Sequence, residues 1–203
     1  MAESTPRSTS GRRGPYAGTA ERRRAILESA FEVFAKVGYR NGSMRDIAQR
    51  IGIAHTTLLH HFGSKSDLLA GVLELRDEYG RPGSEEPGVG MLRQLVEVVR
   101  RNQETAGLTE LYCILSAEAT DPGHPAHEYF RGRYTRLVAQ LREELERMAA
   151  QGELQAGVDP ALEAQRITAL MDGLQVQWLL DRESMDMAEQ LRDYLQRLCV
   201  TRI

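Results

Sequence analysis

Cysteine is scarce in this chain, and Cys113 and Cys199 stand far apart with no C-x-x-C or Cys/His cluster. That excludes a disulfide framework and a thiolate metal site, and it predicts two free thiols in a reducing compartment. Aromatic residues make up 6 % and there are only seven prolines. Ala, Leu, Glu, Arg and Gln dominate instead, the residues that lose least freedom on entering a helix, so an all-α protein is expected. No apolar run approaches the roughly 20 residues that span a bilayer, and the first residues lack the apolar stretch of a secretory signal. A cytoplasmic protein without a membrane partner follows. Also missing are G-x-S-x-G, a phosphate loop, a dinucleotide fingerprint and H-E-x-x-H, so neither catalysis nor a cofactor is expected.

The net charge is −3 over 203 residues, but it is unevenly spread. Up to Asp77 there are 12 Lys and Arg against 8 Asp and Glu, a balance of +4; the rest of the chain carries −7. A basic head on an acidic body fits a nucleic-acid-binding unit joined to another domain, once a motif supports it.

Residues 1–18 mix Ser, Thr, Gly, Pro and Arg without apolar periodicity and read as a flexible basic arm. Arg7, Arg12 and Arg13 there, with Arg22, Arg23 and Arg24 at the start of the next helix, suit an anionic partner such as a narrow minor groove; a solvated tail is the alternative. From Thr19, Ile26, Leu27, Ala30, Phe31, Phe34 and Ala35 recur at helical spacing up to Gly38, placed to take a left-handed cap. Ser43 followed by Asp46 is an acidic capping box opening a second helix that ends at Ile51 before Gly52. A third helix is predicted over His55–His61, and Ser64 with Asp67 opens a fourth that reaches Tyr79. Residues 80–90 read as a loop. Further helices are expected at about 91–103, 108–119, 127–150, 160–180 and 185–200, about nine in all, with neither strand nor repeat.

Ala48, Gly52 and Leu58 meet the needs of a helix-turn-helix in order: a small residue at the crossing, a turn residue free to take positive φ, and an apolar anchor. Around them run Gly38-Tyr39, Ser43-Met44-Arg45-Asp46-Ile47-Ala48, Ile51-Gly52-Ile53, Thr57-Leu58, His61-Phe62, Ser64-Lys65 and Asp67-Leu68-Leu69. Over about 50 residues this run closely resembles the signature of the TetR family. The resemblance implies a helix-turn-helix domain at 19–64, an effector-binding and dimerisation domain at 65–203, and a homodimeric, ligand-responsive regulator, most commonly a repressor, on a palindromic DNA operator. It places His55, Thr56, Thr57, His60 and His61 on the recognition helix, Lys65 near the phosphate backbone, and Arg45 within reach of a phosphate. Two positions depart from the pattern. Ala54 replaces a common capping Ser, a loss of about 1 kcal/mol, and Leu59 replaces a phosphate-directed Tyr and is expected to pack inward.

The last two helices are apolar over a wide face. The resemblance implies a dimer interface from them, with Leu170, Leu174, Leu191, Tyr194 and Leu198 as candidates; a wholly intramolecular core is the alternative. An effector pocket, also implied by resemblance, has Tyr112, Cys113, Tyr129, Met171, Gln175 and Trp178 as candidates, mixing apolar bulk with sparse polar tips. The effector is an unidentified small molecule. Two competing functions remain: a helical interaction module that does not touch DNA, and a metal-dependent enzyme built on His124 and His127. The first leaves the ordered run from Ser43 to Lys65 unexplained, and a lone His pair more often caps a surface turn, so no metal is expected.

Overall fold

The structure, a computed structural model, describes residues 15–79 and 87–203; among these are nine helices and no named strand. They are α1 Pro15–Asn41, α2 Met44–Ile51, α3 His55–Phe62, α4 Lys65–Tyr79, α5 Val89–Glu104, α6 Ala106–Glu118, α7 His127–Ala150, α8 Pro160–Leu180 and α9 Met187–Leu198. Arg7, Arg12 and Arg13 lie outside the described residues, as do positions 80–86. The first helix was expected from Thr19, and α1 already starts at Pro15. A proline suits a first helical position, since its φ is pre-set and its missing N–H would bond nothing there.

Gly38 takes φ 76° and ψ 162°, which breaks the helical path without forming the expected left-handed cap; a final turn then runs to Asn41. Downstream, α8 starts where Asp159 accepts hydrogen bonds from the amides of Ala161 and Leu162 at 3.0 and 3.2 Å, with Pro160 at the first position. Asp186 does the same for α9, which is why α9 opens at Met187 rather than at 185. Both caps satisfy amides that have no intrahelical partner.

Two cores organise the chain. The first draws Ile26, Phe34, Ile47 and Leu58 of α1–α3 together with Leu68 and Leu69 of α4, Leu111 and Leu115 of α6, and Phe130 of α7. The second joins Leu92 and Val96 of α5 to Leu141 and Leu145 of α7, Ile167 of α8, and Leu191 and Leu195 of α9. Packing therefore does not divide at 64/65: the head shares its core with α4, α6 and the start of α7. Fully burying a Leu, Ile or Phe contributes about 1.5–3 kcal/mol, so this continuity fixes the head on the body. At 1.5 Å per residue, α4 spans roughly 22 Å from the end of α3 to the body interior. No helix among the described residues is long and apolar enough to cross a membrane.

Candidate nucleic-acid interface and effector cavities

The Ser43 hydroxyl accepts from the Asp46 amide at 3.1 Å and donates to the Asp46 carboxylate at 2.6 Å, closing the acidic capping box. At the other end of α2, Gly52 is left-handed, φ 72° and ψ 32°; its amide donates to the Gln49 carbonyl at 3.1 Å while the Ile53 amide donates to Ala48 at 2.9 Å. This paired closure ends one helix and aims the next, and a side chain at 52 would pay for the positive φ. Ala54 then starts α3 from extended backbone with no side-chain cap, as the sequence predicts.

Leu58 and Phe62, one turn apart, turn inward and bury α3 against the head. The rest of the helix is displayed: Thr56, Leu59 and His60 are exposed and His55, Thr57 and His61 half-buried. Leu59 was expected to pack, and it does not; it remains 36 % exposed. The reason is angular, since positions 58 and 62 occupy the inward stripe and position 59 lies about 100° around the helix. Arg45 is exposed on α2. Below α3, the Ser64 hydroxyl accepts from the Asp67 amide and caps α4, and the Lys65 ammonium sits 4.4 Å from the centre of the Tyr39 ring. Burial lowers the Lys65 pKa, and the nearby Glu118 carboxylate opposes that shift. Arg23 stacks 4.9 Å from the Phe62 ring centre, tying α1 to the end of α3.

Within the body, the six proposed pocket residues line no common cavity, although Cys113 and Gln175 meet. Tyr112 lies in the first core, stacked by Arg76 at 3.9 Å and accepting from Arg133 Nε at 3.2 Å. Tyr129 donates its hydroxyl proton to Asp77 at 2.6 Å; burial first, then this bond, raises its pKa. Cys113 reaches Gln175 at 3.7 Å, its thiol pushed up to about 11 by burial and then by Asp172. Trp178 belongs to the second core and is stacked by Arg182 at 5.2 Å. Met171 lines a cavity of about 590 Å³ between α4, α5, α7 and α8, with Asp77, Leu95, Arg133, Leu137 and Glu144. A second cavity, about 650 Å³, lies between α1, α4, α5 and α6. The other five candidates line neither.

What sequence reasoning missed is the polar network between these cavities. Asp77 accepts from Arg133 and Tyr129, and Tyr134 donates to Asp172 at 2.7 Å. The Asp172 pKa is raised by burial, against the pull of Tyr134, Arg133 and Arg76. The available signal was a charge at a core position: Arg76 stands four residues after Val72 and seven after Leu69, on the apolar stripe of α4.

Among the dimer candidates, Leu174, Leu191 and Leu198 are buried in the chain's own second core, and Leu170 and Tyr194 pack partly against it. The free apolar surface of α8 is Leu162, Val176 and Leu180. His124 and His127 do not converge either: Nδ1 of His124 accepts from the Ala126 amide, and Nδ1 of His127 bonds the Ala119 carbonyl. Among the described residues no group of three His, Cys, Asp or Glu could hold a metal ion.

Residues 26–72 match the family model for bacterial regulatory proteins of the tetR family, and residues 91–200 match that for the C-terminal part of BetI-type transcriptional repressors. The chain belongs to the TetR family. Its TetR-family relatives include the HTH-type transcriptional regulator PksA of Bacillus subtilis, 27 % identical over 89 % of this chain and 91 % of that protein. The HTH-type transcriptional repressor KstR2 of Rhodococcus jostii is 30 % identical over 62 % of this chain and 56 % of its own length. A regulator from Saccharomonospora viridis, solved in complex with choline, superposes with a TM-score of 0.73 at 25 % identity, covering 90 % of this chain and all of that one. This TetR-family chain is a DNA-binding transcriptional regulator.

Proposed function

We propose that the protein is a cytoplasmic repressor that binds a palindromic operator as a homodimer and leaves it when a small molecule occupies the body. One observation carries the reading: Leu58 and Phe62 hold α3 rigidly to the core while Thr56, Leu59 and His60 stand exposed on it. A short helix displayed this way enters a major groove, where side chains meet base edges. Thr56 and His60 read bases, Leu59 packs on a thymine methyl group, and His55, Thr57 and His61 complete the contact. Arg45 and Lys65 hold phosphates and set register. The uncapped first turn of α3 offers amides to a phosphate.

Dimerisation is supported by α8. Leu162, Ala169, Gly173, Val176 and Leu180 recur at spacings of seven, four, three and four, which returns them to one line along the helix. Small residues in the middle allow a second copy to approach closely, and Leu170 and Tyr194 flank the line. Two heads about one helical turn apart then read a symmetric site. The named repressor among the relatives supports repression, and the choline complex of a structural neighbour supports a ligand-responsive body. Here the effector takes the cavity beside Met171, which touches α4 through Asp77. Effector and operator then oppose each other with equal coupling free energy.

Gel-shift titration with the DNA upstream of the gene tests the reading. We expect a complex of two chains per duplex whose affinity falls steeply with salt, and loss of that complex in Leu59→Glu and His60→Ala. Parental binding by both variants contradicts the assignment of α3.

A further inference from the structure

The cavity between α1, α4, α5 and α6 shares Val98 with the one assigned to the effector but opens on α1 and α6 instead of α7 and α8, and it carries its own chemistry. Its walls include Phe31, Val72, Leu75, Val98 and Leu108, an apolar lining contributed by both the head and the body. Its volume, about 650 Å³, lies in the range that small ligands fill.

Five charged side chains border it: Glu28, Glu32, Glu104, Arg76 and Arg101. Four are outer groups. Glu28 and Glu32 have side chains 50 % and 58 % exposed and are bonded by Arg24 at 3.1 Å and Arg50 at 2.7 Å. Glu104 is exposed, and Arg101 is 41 % exposed beside Glu97. Arg76 is different, with only 8 % of its side chain exposed. A guanidinium has five N–H donors, yet the Arg76 side chain makes no hydrogen bond to the described residues and its nitrogens are not sealed from open space; it lies flat on Tyr112 and comes only to 3.6 Å from Asp77. Asp77 is already engaged by Arg133 and Tyr129. A buried cation with unused donors is costly unless an anion joins it, and burial together with the neighbouring Arg133 does press on its charged state.

We propose that this cavity is a binding site for a small amphiphilic carboxylate, its headgroup on Arg76 and its chain along Phe31, Val72 and Leu108. It goes beyond the effector reading and does not need it. Because α1 supplies one wall, an occupant touches the DNA-binding head directly as well as through α4.

Calorimetric titration of the full chain with sodium decanoate, decanol and decyltrimethylammonium, three probes of one chain length and different head charge, tests the site. We expect decanoate to bind one per chain and at least about tenfold more tightly than decanol, the gain of a charge-assisted hydrogen bond. The ammonium probe binds no better than decanol. Arg76→Gln removes the preference for the carboxylate, and Arg76→Lys restores part of it. Gly107→Leu supplies a second variant that preserves the fold: Gly107 lines the cavity, and a Cβ there meets nothing within 4 Å. It weakens decanoate while DNA binding in gel shift stays parental. No decanoate binding, equal affinity for the neutral or cationic probe, or parental affinity in either Arg76→Gln or Gly107→Leu overturns the proposal. Those outcomes with DNA binding intact leave the regulatory reading standing; loss of DNA binding in the parent chain does the reverse.

Discussion

Replacing Asp77 by Ala removes a carboxylate that holds α4 to α7. In the native chain it accepts from Arg133 and from the Tyr129 hydroxyl, and Arg76 approaches to 3.6 Å. Truncation leaves Arg133 with the Tyr112 hydroxyl and Tyr129 with the Leu73 carbonyl at 3.4 Å as their remaining acceptors, and takes from Arg76 its carboxylate neighbour. Breaking a buried pair by deleting one partner costs about 3–5 kcal/mol; Asp77 and Arg133 retain 24 % side-chain exposure, so the lower end, about 3 kcal/mol, is the expected loss. Tyr129→Phe removes a single charge-assisted bond and should cost about 1.5–3 kcal/mol. The pair shares a partner, so the double variant should fall short of the sum by 0.5 kcal/mol or more, on the order of contacting residues generally. Urea unfolding of the four proteins, with the slope held constant as a check on two-state behaviour, supplies the numbers. A loss under about 1 kcal/mol for Asp77→Ala, or strict additivity with Tyr129→Phe, refutes the claim that this network joins α4 to α7.

Other substitutions test separate links. Ala54→Ser supplies the missing cap of α3 and should add about 1 kcal/mol of stability by thermal unfolding; no gain would mean that the first-turn amides are satisfied another way. Gly52→Ala forces a Cβ into φ 72° and should cost about 1–2 kcal/mol, lowering the melting temperature. Val176→Glu with Leu180→Glu charges the exposed line on α8 and should convert a dimer to monomer in sedimentation without loss of helicity. Asp172 has its carboxyl pKa raised by burial, so its contribution to stability is fully present below the unfolded carboxyl value and is lost as pH rises through the folded value. Asp172→Asn therefore gains on the parent as pH rises through that window, and a stability difference independent of pH contradicts the burial argument.

Local chemistry was readable in the residues. The capping boxes at Ser43 and Ser64 and the positive-φ Gly52 each depend on neighbours within a few positions, and they mark where helices begin and turn, whereas the aspartate cap before α9 went unread and its start was placed two residues early. The bounds of α7 and α8 fell where the sequence placed them. Long-range placement was less accessible. Leu59 looks like a core residue by type, yet the inward stripe belongs to Leu58 and Phe62. Apolar periodicity on α9 correctly marks a buried face, but it does not say whose core buries it, and Leu191 faces its own chain. The line on α8 that remains free is diluted by Ala169 and Gly173, which conceals it in composition. The cavities escaped because each is assembled from four helices, and their telling residues are charges on stripes that otherwise read as core: Arg76, Asp77 and Arg133.

The central claim is that α3 reads DNA. Selection of bound duplexes from a random pool, carried out with the parent chain and with Leu59→Glu/His60→Ala, tests it most directly. A two-fold symmetric consensus with half-sites about one helical turn apart, enriched by the parent and lost in the variant, is the predicted result. No enrichment by the parent, or the same consensus from the variant, would contradict it.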